Sequence, residues 1–227
     1  MNLSQHYTGL YNNSLAEIAA GNWQKDELLD SPSDMRRGIT LIIRPDAHTI
    51  SEIRKFLAKL KNIDPAQYYY PDTDIHITVM SIISCYDGFS LNWIDLNSYI
   101  NIIQTSISGY IPFEIVFKGV TASPSCIMIQ GFPNNNVLNT IRDNLRSNFA
   151  CSGLEQSIDQ RYAIQAAHST MVRFREDPAR NAAFFNTVED YKNFHFGAFK
   201  VDTLEFVYND WYQRKESVKE LYKFKLH

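Results

Sequence analysis

Two short segments of the sequence share one pattern, a histidine followed two residues later by a threonine. The first motif is His76-Ile-Thr78 and the second motif is His168-Ser-Thr170. Alternate side chains of a β-strand point to the same face of a sheet. Each histidine would therefore project beside its threonine, and an imidazole and a hydroxyl could meet one small anion. Two such pairs facing each other would hold a phosphate between four side chains.

This set of groups has the chemistry that cleavage of a phosphodiester needs. A base must deprotonate the attacking water or hydroxyl, and an acid must protonate the departing oxygen. Histidine, with an ordinary pKa near 6.5, offers both protonation states, and each such transfer typically accelerates a reaction by ~10²–10⁴. The hydroxyls would stabilise charge that develops on the non-bridging oxygens. The scheme needs no metal ion, and we expect no cofactor.

One copy of the pattern alone is weak evidence, because a histidine on a strand is more often structural than catalytic. His6-Tyr-Thr8 also matches, but it lies in a polar segment beside Gly9, and we assign it no role. The other two copies are better supported because each lies in a strand-like run with bulky or apolar neighbours.

Apolar periodicity and turn residues predict the elements that position the two motifs. Strands are expected at residues 38–45, 74–82, 113–118, 125–130, 163–174, 201–207 and 221–226. Helices are expected after Asp46 as N-cap, at 93–107, at 135–149 and from Ala179. Strands interleaved with single helices, some joined as hairpins, indicate an α+β protein with mixed or antiparallel sheets. Residues 1–35 are predicted to form an N-terminal arm with one short helix, and residues 36–227 a single domain.

Composition limits the kinds of ligand that the chain can bind. Of its 227 residues 44% are hydrophobic and 21% are charged, as in soluble globular proteins. The net charge of −3 argues against binding of long DNA or RNA through the backbone. A small nucleotide or an RNA end remains a suitable partner, because a few local cations suffice for one phosphate.

Three cysteines without C-x-x-C spacing argue against a disulfide framework and a zinc knuckle, and they are ordinary in a reducing cytosol. The sequence has neither a secretory signal nor an apolar run of the ~18 residues that a membrane helix needs. We therefore expect a cytoplasmic protein that does not bind a membrane and acts as a monomer.

With these motifs and elements the chain resembles the 2H phosphoesterase superfamily, which includes bacterial 2′-5′ RNA ligase-like proteins and 2′,3′-cyclic phosphodiesterases. The resemblance extends from about residue 38 to residue 226 and leaves the N-terminal arm outside. Besides the two motifs, it rests on the opening strand 39–44, the hairpin from 113–119 to 127–132, the helix 138–149 with Arg142 and Arg146, and the closing strands.

The resemblance implies two similar lobes of sheet and helix around a pseudo-two-fold axis, with helices packed outside and a motif strand from each lobe in a central cleft. It implies that His76 and His168 are the catalytic acid–base pair and that Thr78 and Thr170 bind the phosphate of the substrate. It does not assign acid and base between the two histidines.

Other residues near the motifs have plainer explanations. Strict alternation places Arg173 on the face opposite His168, so that a role in phosphate binding would require a bulge. Asp74 shares the face of His76 and could orient its imidazole, although an aspartate at a strand start is usually solvated. Aromatic residues at 68–70 and 208–212 could stack on a base or simply cover sheet edges.

The hypothesis from the sequence is a metal-independent phosphoesterase that acts on a cyclic phosphate or a 2′-5′ phosphodiester of a small nucleotide or RNA end. Two alternatives stay open. One is a module that binds a nucleotide or an RNA end with little catalysis, and the other is a hydrolase of cyclic oligonucleotide signals.

Overall fold

The computed structural model describes residues 2–227 as five α-helices and nine β-strands. The helices are α1 Leu3–Ala19, α2 Ala47–Ile63, α3 Leu96–Ile107, α4 Val137–Ala150 and α5 Ala182–Asp190. The strands are β1 Arg36–Ile43, β2 Tyr68–Tyr69, β3 Ile77–Asp87, β4 Phe113–Ser123, β5 Cys126–Pro133, β6 Ser169–Arg173, β7 His195–Val201, β8 Thr203–Asp210 and β9 Lys219–Lys225.

The strands form two antiparallel sheets. One sheet has the order β3-β1-β8-β9 and the other has the order β2-β6-β5-β4-β7. The first motif thus belongs to the four-stranded sheet and the second motif to the five-stranded sheet. The α+β class with two sheets is confirmed, and every strand pair among the described residues is antiparallel.

Local sequence signals explain where the elements begin. The Asp46 side chain accepts a hydrogen bond of 2.8 Å from the backbone N–H of Thr49, as predicted for the N-cap of α2. Pro45 directly precedes this cap. Because proline has no backbone N–H to donate to a neighbouring strand, β1 ends before it. Asn2 caps α1 in the same way by accepting from the N–H of Gln5.

The N-terminal arm differs from the expected short helix. Helix α1 has 17 residues and packs against β4. Tyr7, Tyr11 and Ile18 are buried, and the Oγ of Ser14 donates to the carbonyl oxygen of Ala122 at 2.8 Å. From Tyr7 to Ile18, every third or fourth residue of the helix is therefore inside the fold.

Several strand predictions were wrong in their extent. The strands expected over 74–82 and 113–118 are β3 Ile77–Asp87 and β4 Phe113–Ser123, and each ends five residues later than predicted. The strand expected over 163–174 begins only at Ser169, because the carbonyl oxygens of Ile164 and Ala166 accept hydrogen bonds from Arg146 and Arg142 instead of a sheet neighbour. The strand expected over 201–207 is the second half of a hairpin, with β7 and β8 separated by Asp202. In residues 2–227 no helix is long and apolar enough to cross a membrane.

Candidate active site

One cleft between the two sheets is lined by all four motif side chains, namely His76, Thr78, His168 and Thr170. We call it the motif cleft; its volume is about 140 Å³. Each histidine is the residue just before its strand, and each threonine is the second residue of that strand. The motif cleft is also lined by Thr40, Tyr70, Ser81, Cys85, Tyr162, Ile164, Arg173, Asn209, Trp211 and Gln213.

Bulges in β3 decide which of its side chains reach the motif cleft. Against β1, Ile42 pairs with Thr78 but Leu41 pairs with Met80, so Val79 is an extra residue in β3. A second extra residue, Ile82, follows in the same way, and a third lies at residues 84–85, where two residues of β3 face Gly38 alone. Each extra residue shifts the alternation by one, and the side chains that face the cleft recur at Thr78, Ser81 and Cys85 rather than at every second position.

A bulge also changes the expected place of Arg173. Ile127 pairs with Val172 and Met128 pairs with Thr170, so Met171 is an extra residue in β6. Arg173 therefore lines the same cleft as Thr170, against the expectation from strict alternation. Its Nε donates to the Tyr70 hydroxyl at 2.9 Å, and Tyr70 also lines the cleft.

The imidazole of His76 has a defined orientation. Its Nδ1 lies 2.7 Å from the backbone carbonyl oxygen of Asp74, and because a carbonyl oxygen only accepts, Nδ1 carries the hydrogen. In the neutral ring, Nε2 is then an unprotonated acceptor. Asp74 thus orients the histidine, but through its backbone. Its buried carboxylate accepts from Thr73 and from the N–H of Lys215 instead.

Both histidines are neutral in the free protein at pH 7. Burial lowers the pKa of His76 to about 4, against the opposing effect of its hydrogen bond to Asp74. Burial also lowers the pKa of His168 to about 4, and the positive charge of Arg142 lowers it further. His6 on α1, which is not part of a strand motif, also lowers the pKa of His168.

Arg142 connects the two motifs from behind the cleft. It projects from α4, is only 1% exposed, and donates to the carbonyl oxygens of Thr78, Val79 and Ala166 at 2.9–3.0 Å. No carboxylate pairs with it in the described part of the chain, and burial lowers its pKa to about 10. At neutral pH it therefore remains a cation whose field reaches the side of the cleft where His168 lies.

The second motif is supported by close backbone contacts. A Cβ at Gly131 would overlap the carbonyl oxygen of Ala167, so only glycine lets β5 approach the residue before His168. The hydroxyl of Tyr7 lies 3.2–3.3 Å from the backbone oxygen and nitrogen of Gly131, where it can donate to the oxygen and accept from the nitrogen. Through Tyr7, helix α1 thereby contacts β5, which pairs with β6, the strand of the second motif.

Several other histidines and charged residues lie outside the motif cleft. His48, His195 and His227 are exposed. Arg36 pairs with Asp34 at 2.8 Å and its Cζ lies 5.1 Å from the centroid of the Trp211 ring. Across residues 2–227, no three side chains of His, Cys, Asp or Glu lie close enough together to bind a metal ion.

The roles of some residues of the site gave no usable sequence signal. Arg142, which the resemblance named without a role, and Gly131 act through backbone atoms of distant segments, which periodicity does not reveal. Trp211 and Tyr162 line the motif cleft from segments without regular structure. The aromatic segment at 208–212 was a usable signal, whereas an isolated Tyr162 was not.

No protein-family model and no curated protein matches the sequence. Solved structures do match. The protein TT0787 of Thermus thermophilus is 13% identical, with a TM-score of 0.62 over 85% of this chain and 98% of that one. E. coli LigT in complex with 3′-AMP is 14% identical, with a TM-score of 0.59 over 84% and 98%. A protein described as a phosphoesterase is 14% identical, with a TM-score of 0.55 over 84% and 98%.

This chain has the LigT fold. The two-lobed α+β architecture implied by the resemblance to 2H phosphoesterases is thereby confirmed. Each lobe of this fold contributes one sheet, and the motif cleft lies between the two sheets.

Proposed function

We propose that the protein is a metal-independent phosphoesterase that hydrolyses a cyclic phosphate or a 2′-5′ phosphodiester of a small nucleotide or RNA end. The observation that carries the proposal is that His76, Thr78, His168 and Thr170 line one cleft. It is supported by the fold shared with LigT and with a phosphoesterase. E. coli LigT has also been crystallised with ATP and with NADP⁺, so nucleotides are suitable first ligands to test.

The substrate phosphate would lie between the two motifs. The hydroxyls of Thr78 and Thr170 and the guanidinium of Arg173 would donate to its non-bridging oxygens, whose negative charge grows in the transition state. A guanidinium presents paired donors that match a phosphate group. Thr78 and Thr170 come from different sheets, so the phosphate would be held from both sides.

One histidine would accept a proton while the other donates one. A neutral imidazole with a free Nε2, as His76 has, can remove a proton from the attacking water. The acid must carry a proton at the start of the reaction, although both histidines are neutral in the free cleft at pH 7. A bound phosphate anion favours the charged imidazolium and raises its pKa, so the substrate itself would bring about protonation of the acid.

Hydrolysis would then proceed without a covalent intermediate. Water loses a proton to the base and forms a bond to phosphorus. The bond from phosphorus to the leaving oxygen breaks, and that oxygen takes the proton of the acid. The reaction leaves the two histidines with exchanged protonation states. The direction of attack decides which histidine begins as the base.

The first experiment is a phosphodiesterase panel in EDTA with 2′,3′-cyclic mononucleotides, 2′-5′ and 3′-5′ dinucleotides and a cyclic dinucleotide. We expect turnover in the wild type and a loss of ~10²–10⁴ in kcat in both His76→Ala and His168→Ala. His48→Ala, which changes an exposed histidine of α2, is the matched control and should match the wild type.

Turnover that either motif variant retains would contradict the two-histidine mechanism. Binding of nucleotides without turnover of any substrate would instead favour the binding-module alternative. Preference for the cyclic dinucleotide would favour the hydrolase of cyclic oligonucleotide signals.

A further inference from the structure

The motif cleft continues into a groove that follows β3 away from the two histidines. A second compartment of about 60 Å³ shares with the cleft the residues Ser81, Tyr162, Ile164 and Trp211. A third compartment of about 300 Å³ shares with the second the residues Ser84, Ser157 and Arg161. Ligand pockets usually enclose about 300–1,000 Å³. The cleft alone is smaller than this, and the groove supplies the remaining space.

Arg161 lies at the junction of the second and third compartments. Its Cζ is 4.5 Å from the centroid of the Trp211 ring, and its Nη2 donates to the carbonyl oxygen of Cys85 at 3.5 Å. A guanidinium stacked on an aromatic face keeps the N–H groups at its edge free for an anion. Trp211 therefore holds this cation in place without neutralising it.

Arg161 forms no ion pair with the acidic residues of the groove. Asp159 accepts from Arg146 at 2.5 Å, and Glu155 accepts from the Tyr86 hydroxyl at 2.9 Å. Within residues 2–227 no carboxylate lies at ion-pair distance from Arg161, in contrast to Arg146. The groove thus presents one positioned cation that forms no ion pair, while the Glu155 carboxylate, bonded to a neutral hydroxyl, keeps its negative charge in the third compartment.

Neutral donors and an aromatic face complete this part of the groove. The Oγ of Ser157 accepts from the N–H of Ser84 at 2.7 Å, which leaves its own O–H to donate. Tyr162 is 66% exposed and lies between the motif cleft and Arg161. Exposed aromatic rings beside a cation are the usual means of binding a single-stranded nucleic acid without reading its sequence.

We propose, on the basis of the phosphoesterase function above, that the groove binds a short oligonucleotide strand extending from the nucleotide in the motif cleft. Arg161 contacts a phosphate of that extension, and Tyr162 stacks on a base. A strand rises about 3.3 Å per residue, so Ser84 lies at most ~20 Å along β3 from Thr78, which limits the extension to a few nucleotides. The preferred substrate is then the end of a short oligonucleotide rather than a mononucleotide.

The test is a length series of oligoribonucleotides, from one to four nucleotides, each ending in a 2′,3′-cyclic phosphate. We expect kcat/KM of the wild type to rise at least ~10-fold from the mononucleotide to the longer substrates, as a charge-assisted hydrogen bond to phosphate predicts. Arg161→Gln should remove most of this rise, and raised salt should reduce it in the wild type. Arg54→Gln is the matched control, since Arg54 pairs with Asp72 outside the groove.

Equal kcat/KM at every length in the wild type would overturn the proposal, and so would a length-dependent rise that Arg161→Gln retains. If no substrate of any length is turned over, the phosphoesterase function fails and the groove is tested by binding alone. A fluorescently labelled trinucleotide should then bind the wild type at least ~10-fold more tightly than Arg161→Gln, and equal affinity would overturn the groove as well.

Discussion

The Oγ of Ser169 donates a hydrogen bond of 2.6 Å to the backbone carbonyl oxygen of His76. The two residues are 93 positions apart in the chain. Ser169 is the middle residue of the second motif, and His76 is the first residue of the first motif. The residue between the histidine and the threonine, which the motif leaves unspecified, therefore joins the two halves of the candidate active site.

Replacement of Ser169 should impair both stability and catalysis. Ser169→Ala leaves the His76 carbonyl oxygen without this donor at a site that is 1% exposed, and we expect a loss of about 1–3 kcal/mol in the free energy of unfolding. Since the spacing of the two histidines is then less fixed, kcat should fall more than KM rises. Urea unfolding and steady-state kinetics measure the two effects.

The matched control for this variant is Ser14→Ala. Ser14 is also buried and donates to a backbone carbonyl oxygen, that of Ala122, but on α1. We expect Ser14→Ala to lose stability with kcat unchanged. If Ser169→Ala behaves in the same way, its hydrogen bond has no positioning role.

Replacement of Arg173 should weaken the binding of phosphate itself. Arg173→Gln removes the guanidinium that faces the motif cleft, and we expect the Kd for inorganic phosphate to rise at least ~10-fold, as for a lost charge-assisted contact. Tyr70→Phe, which removes only the hydroxyl that holds Arg173, should have a smaller effect of the same sign. Isothermal titration calorimetry measures both.

Arg175→Gln is the neighbouring control, because Arg175 pairs with Asp30 and does not line the cleft. If the phosphate affinity is the same in Arg173→Gln and Arg175→Gln, Arg173 does not bind the phosphate, although the bulge at Met171 places it on the cleft side.

Anion binding should be linked to proton uptake. The pKa of both motif histidines is about 4 in the free cleft, and a bound anion raises it. A histidine that is neutral in the free protein and charged in the complex takes up a proton on binding, so affinity falls as pH rises between about 4 and the pKa of the complex. Sulfate is the suitable probe, since its own charge is constant in this range.

The measurement is the Kd for sulfate from pH 4.5 to pH 8, with His76→Gln and His168→Gln beside the wild type. In the wild type we expect binding to weaken as pH rises from 4.5 until it passes the pKa of the complex, and in at least one variant we expect a smaller dependence. A Kd that does not change with pH would show that neither histidine is charged by the bound anion.

The same two pKa values predict acid sensitivity of the folded state. In the unfolded chain a histidine takes up its proton near pH 6.5, whereas His168 in the cleft does so only near pH 4. The unfolded state therefore binds more protons between these values, and stability is lost as pH falls from about 6.5 to about 4. Each histidine should account for about 1–3 kcal/mol of this loss.

His168→Gln should consequently lose less stability than the wild type between pH 7 and pH 4.5, as measured by urea unfolding at each pH. His48→Gln serves as the reference, because its exposed imidazole has no such environment. Identical pH profiles for His168→Gln and the wild type would contradict the lowered pKa of His168.

The sequence was sufficient to predict the α+β fold and to select His76, Thr78, His168 and Thr170. The selection was possible because residues two positions apart in an extended segment point to the same face of a sheet. The structure brings these four side chains into one cleft, while their roles in catalysis stay predictions. The boundary at residue 35, the monomeric state and the cytoplasmic location also stay predictions.

What the sequence did not reveal are the contacts that depend on distant backbone atoms. A bulge at Met171 changes the face of Arg173, and a bulge is determined by the partner strand rather than by local residue types. Arg142 looks like an ordinary helix residue until the carbonyl oxygens of Thr78 and Ala166 are placed beside it. Such features require the paired strands to be known.

The interleaved order of the sheet β3-β1-β8-β9 has a consequence for biosynthesis. Strand β1 pairs with β3 on one side and with β8 on the other, so the sheet is incomplete until Arg37 can pair with Asp210. While the ribosome is still translating the chain before β8, the lobe with the first motif has an open edge. The segments made first therefore cannot mature independently, and a nascent chain stalled before residue 203 would expose a bare strand available for aggregation.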